Sequence, residues 1–94
     1  MMFALVATDQ PNCVARRKAL RPEHLKHLEA LGERLILAGP FLDDAGESVG
    51  SIVIIEADDL AQAREMLGRD PFVRDGLFDT ISIKPWKVTI NNSR

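Results

Sequence analysis

Three short runs constrain this chain more than any other feature: MFALVAT (residues 2–8), RLILAGP (residues 34–40) and SIVIIEA (residues 51–57). In each, apolar residues follow one another directly, and each is too short for a stable helix, so all three read as buried strands. LFDTISIKPW (residues 77–86) supplies a fourth. Between the first two strands, Pro22 suits the first position of a helix, and Glu23 complements the positive helix end. That helix is expected to run to about Gly32, a stop signal, with NCVARRKALR as a connecting segment holding at most a helical turn. LAQAREML forms the second helix, capped by Asp58 or Asp59 and stopped at Gly68. The resulting order, β-α-β-β-α-β over one domain (residues 1–94), predicts an α+β ferredoxin-like fold. Its four-stranded antiparallel sheet carries both helices on one face.

That arrangement leaves a problem. In residues 2–8, 35–38 and 52–55 successive residues are apolar, so both faces of the sheet are apolar, and two helices cover only one. An uncovered apolar face exceeds what soluble monomers expose, and the economical cover is a second copy, so a homodimer through the sheet face is expected. A net charge of −2 with interspersed signs gives no footprint for nucleic acid or an anionic membrane. No apolar run is long enough for a membrane span, the start lacks a signal-peptide pattern, and Cys13 has no partner for an internal disulfide. A cytoplasmic location is the expectation.

Chemistry centres on the two histidines, His24 and His27, in RPEHLKHLEAL (residues 21–31). At about 100° per residue, Leu25, Leu28, Leu31 and Leu35 fall within an arc of roughly 120°. His24 lies inside that arc and His27 about 40° beyond its edge, so His24 should face the sheet and His27 skirt the solvent. Near a helix start, on the apolar side, the dipole and desolvation both disfavour an imidazolium. A neutral ring can act as a base if a carboxylate fixes its tautomer. A packed histidine bonded to a backbone carbonyl fits the same pattern. Metal binding fits poorly, because rings three apart diverge and no third His or second Cys exists; no metal or cofactor is expected. The candidate carboxylates are Asp9, Asp43, Asp44, Asp58, Asp59, Asp70, Asp75 and Asp79. Asp70, in GRDPFVRDG, reads first as the cap of a turn beginning with Pro71, a role compatible with supporting a histidine.

Six stretches, in order and in register, resemble the YCII-related (YciI-like) family of small dimeric α+β proteins. They are RxxLRPEHLxxLxxLG at 17–32, LAGP at 37–40, GS at 50–51, EADDLxxA at 56–63, DPFVRDGLF at 70–78 and IKPW at 83–86. The resemblance implies a ferredoxin-like fold of the dimeric α/β-barrel type, related to muconolactone isomerase. It also implies a site built on a His–Asp dyad, which falls on His24 and Asp70, with a basic residue at Arg17 and a serine at Ser51 as substrate-binding groups. Arg17 would clamp an anionic group through its planar fork, against the plainer reading of a solvated arginine in a connection. The Ser51 hydroxyl either serves the site or satisfies a backbone group. One lineage of the family resembles enzymes that remove chloride from a chlorinated hydroxyhydroquinone.

Two functions follow as expectations. In the first, the dyad performs acid/base chemistry, elimination or isomerisation, on a small phenolic or anionic compound. The alternative is a dimeric small-ligand-binding or accessory module without turnover. A hollow beside His24 with convergent polar groups favours the first, and a filled site the second.

Overall fold

The structure, a computed structural model, describes residues 1–93. The elements in chain order are β1 (Met2–Asp9), α1 (Val14–Ala30), a 3-10 turn (Gly32–Arg34), β2 (Leu35–Leu42), β3 (Ser48–Glu56), α2 (Leu60–Gly68), α3 (Pro71–Arg74) and β4 (Phe78–Trp86). The strands form one sheet in the order β2-β3-β1-β4, and every neighbouring pair is antiparallel. This is the ferredoxin-like order, with the last strand beside the first.

Register decides which residues face the helices. Phe3 lies opposite Ile55, Leu5 opposite Val53 and Ala7 opposite Ser51. Directly opposed residues share a face, and all six are buried. Leu28 of α1, Ala63 and Leu67 of α2, and Phe72 of α3 pack onto them to close the core. The alternate residues form the second face, where Val6 pairs with Ile52, Leu37 with Ile54 and Phe41 with Gly50. Val6, Leu37 and Phe41 remain exposed there. Gly50 is needed for a close approach: a Cβ at that position would stand 2.6 Å from the Ala7 carbonyl oxygen and 3.1 Å from the Phe41 ring.

The first helix departs from expectation. It starts at Val14 rather than Pro22, which lies inside it. Pro22 leaves the Lys18 carbonyl without its helical donor, a cost that the preceding residues must offset. ARRKAL contains strong helix formers. Leu20 packs on the core, and Arg17 is tied down by a buried ion pair, so tertiary contacts hold the two turns before the proline. The buried face is also not the expected leucine arc: it is Arg17, His24 and Leu28, whereas Leu25 is exposed and Leu35 opens β2. The second helix follows the sequence reading, with the Asp59 carboxylate accepting from the Gln62 amide at 2.7 Å.

Candidate active site

Asp70 is the hinge of the site. It ends the segment after α2 and caps α3, its Oδ1 accepting from the Phe72 amide at 2.9 Å with Pro71 in the first helical turn. The same buried carboxylate meets Nδ1 of His24, at 2.9 Å to Oδ1 and 2.7 Å to Oδ2. A carboxylate only accepts, so in the neutral ring the proton sits on Nδ1 and the lone pair on Nε2. Nε2 has no hydrogen-bond partner among the described residues. The ring is fixed a second time by stacking on Phe72, with centroids 3.9 Å apart and planes within 10°. Because His24 stands mid-helix, the dipole argument for its neutrality does not apply: that effect fades within the first turn.

Arg17 and His24 are seven residues apart, two helical turns along one face. Both are buried. The Arg17 Nη1 donates to both Asp9 oxygens, at 2.8 and 3.0 Å, and Nη2 donates to Ser51 Oγ at 2.6 Å. Its Cζ lies 4.6 Å from the Phe72 centroid, so Phe72 is a common platform for guanidinium and imidazole. Arg17 is thus neither solvated nor in a loop; its charge is compensated by Asp9 at the end of β1. Ser51 accepts from Arg17 and keeps its own O–H to donate.

These groups converge on a cavity of about 340 Å³ between α1 and the β2–β3 hairpin, lined by Arg17, His24, Ser51 and Phe72 among others. Leu25, Leu28 and Val53 give it apolar walls, and Lys18, Arg21 and Glu47 belong to its lining too. The site is hollow, with polar groups turned to one space.

His27 was expected at the solvent edge. It is partly buried instead, and its Nε2 is buried without a hydrogen-bond partner among the described residues. Burial, above all, and then the His24 and Arg69 charges hold its pKa below the ordinary 6.5 against the pull of Asp70. The leucine arc misplaced it because α2 and the Asp70 segment pack where the arc left open space. Phe72 was missed as well. Its only signal was its place directly after Asp-Pro, where a short helix turns it back toward α1.

The sequence matches the YCII-related domain over residues 1–87. The chain belongs to this family. Among its YCII-related relatives, Protein YciI of Escherichia coli is 34% identical over 95 residues, covering 93% of this chain and 97% of that one. A similar solved structure is 5-chloro-2-hydroxyhydroquinone dehydrochlorinase (TftG) from Burkholderia phenoliruptrix AC1100 in complex with 2,5-dihydroxybenzoquinone. It superposes with a TM-score of 0.84 at 29% identity, over 93% of this chain and 94% of that chain. SnoaB, a cofactor-independent oxygenase from Streptomyces nogalater, shares the fold alone, with a TM-score of 0.57 at 12% identity over 99% and 96% of the two chains. The fold of this YCII-related chain is that of the dimeric α+β barrels.

Proposed function

We propose that this YCII-related protein is an enzyme acting on a small phenolic or enolic compound, with His24 as general base and Asp70 as its partner. The observation that carries the reading is a buried carboxylate holding Nδ1 of a stacked histidine whose other nitrogen is left for a cavity of about 340 Å³. Nε2 takes a proton from a substrate O–H or C–H. In isomerisation the electron pair released shifts a double bond. In elimination from a phenol, the ring carbon bearing the leaving group first takes up the proton to give the keto tautomer. Loss of a second O–H proton to Nε2 then expels the leaving group as its anion. In elimination the histidine proton passes to water, and in isomerisation it returns to another substrate atom. The imidazolium that forms is stabilised by Asp70, and Ser51 donates its O–H to the oxyanion that develops. Arg17, with both terminal nitrogens engaged, holds Ser51 in place and supplies positive charge beneath it.

The likeness to a dehydrochlorinase favours elimination as the reaction class. Chloride release from chlorinated hydroxyhydroquinones tests it directly: wild type should release chloride, and His24→Gln should not. A protein that binds such compounds and never turns them over is the ligand-binding module instead. We also infer a homodimer through the second face of the sheet, where Val6, Leu37 and Phe41 are exposed.

A further inference from the structure

We propose that the cavity selects a small molecule bearing a carboxylate, and that Arg21 is the side chain that recognises it. This rests on the reading of His24 as the base of the same site. Three cations line the α1 side of the cavity: Arg17, Lys18 and Arg21. Arg17 already donates to Asp9 and Ser51, and the buried Asp9 carboxylate compensates its charge, so it offers a ligand anion no unpaired charge. Lys18 faces Glu47, another lining residue, at 3.5 Å. Arg21 is exposed, lines the cavity, and has no ion-pair or hydrogen-bond partner among the described residues.

A guanidinium with an open fork matches a carboxylate through two parallel N–H···O bonds. Arg21 precedes His24 by three residues, about 4.5 Å along the helix axis, and side chains at this spacing are surface neighbours. A carboxylate held by Arg21 would therefore leave the rest of a one-ring molecule to run along Leu25 and Leu28 toward Nε2 and the Ser51 hydroxyl. Glu47 sharpens the choice. It offsets Lys18, so Arg21 is the one lining cation with its charge uncompensated by a neighbouring carboxylate, and a second anionic group near Glu47 is opposed.

Calorimetric binding of 2,5-dihydroxybenzoate and of uncharged hydroquinone tests this, with His24 ring nitrogen resonances followed in parallel. Wild type should bind the carboxylate at least about tenfold tighter than hydroquinone, with the preference shrinking at high salt. Arg21→Gln, at an exposed position, should bring the two ligands to near parity, and Glu47→Gln should tighten the carboxylate alone. Equal affinities in wild type, or a preference that survives Arg21→Gln, overturns the inference. Hydroquinone binding that moves the His24 resonances without any carboxylate preference removes Arg21 and leaves the proposed base in place. A carboxylate preference that depends on Arg21 but never perturbs His24 does the reverse. Failure of both ligands to bind overturns both.

Discussion

The His24 ring is held by two different forces, a charge at Nδ1 and a ring face at Phe72, and they are separable by substitution. Asp70→Asn retains an N-cap acceptor for the Phe72 amide, because asparagine caps as well as aspartate. It removes the negative charge that supports an imidazolium and permits the wrong tautomer. Turnover should fall by about 10²- to 10⁴-fold while the unfolding midpoint moves little. Loss of the folded state rather than of rate would mean that Asp70 is a structural cap alone. The neighbouring His27 gives a pH prediction. Its folded pKa is lowered, so the unfolded chain binds more protons, and stability is lost as pH falls from about 6.5 through that lower value. His27→Gln should flatten that part of the stability curve, measured by urea unfolding between neutral and mildly acidic pH; an unchanged slope would show that desolvation does not act on this ring. At this scale the sequence showed Asp70 as a cap and, through the family motifs, its pairing with His24. It could not show Arg17 buried, because a charged residue enters a core only when a remote partner, here Asp9, compensates it.

At the scale of the elements, the strands and α2 were legible because each carries a local signal: short apolar runs for β1, β2 and β3, alternating apolar residues for β4, and the Asp59 cap and Gly68 for the helix. The start of α1 was not, since Pro22 obeys the rule for a first helical position while standing inside a helix whose earlier turns are held by tertiary contacts. Those turns carry Arg17, Lys18 and Arg21, so the cationic part of the cavity wall depends on them. Pro22 is exposed, and replacing it would restore the amide donor to the Lys18 carbonyl. Pro22→Ala should thus stabilise the protein by about 1–2 kcal/mol, less than the roughly 3 kcal/mol interior cost because a proline also restricts the unfolded chain. Denaturant unfolding measures it, and a destabilised variant would mean that the proline is compatible with the local backbone. Arg17→Met acts in the opposite sense. It leaves Asp9 buried without its cation, and a loss of about 3–5 kcal/mol is expected.

For the whole molecule, the sheet has two apolar faces and helices on only one of them. The helix side is closed by Leu28, Ala63, Leu67 and Phe72, whereas Val6 on the central strand β1 and Leu37 and Phe41 on β2 stand uncovered. Apolar side chains scattered singly on a surface need no explanation, but these lie on one face, around the half-buried Ile52 of β3, whereas Ile54 and Gly50 on that face are already buried. A second copy packed face to face would cover both patches at once, since a two-fold interface uses the same surface twice. Val6→Glu places a charge at the centre of that patch while touching nothing on the helix face. Light scattering should then report a dimer for the native chain and a monomer for the variant, with helix content retained. Because the cavity opens on the helix side, between α1 and the β2–β3 hairpin, the monomer should still bind small ligands, weakened only as far as loss of the partner loosens β2. A native chain that stays monomeric at micromolar concentration would sink the proposed interface. A Val6→Glu dimer would sink it as well, because a buried unpaired carboxylate at the centre of an apolar contact is too costly to keep.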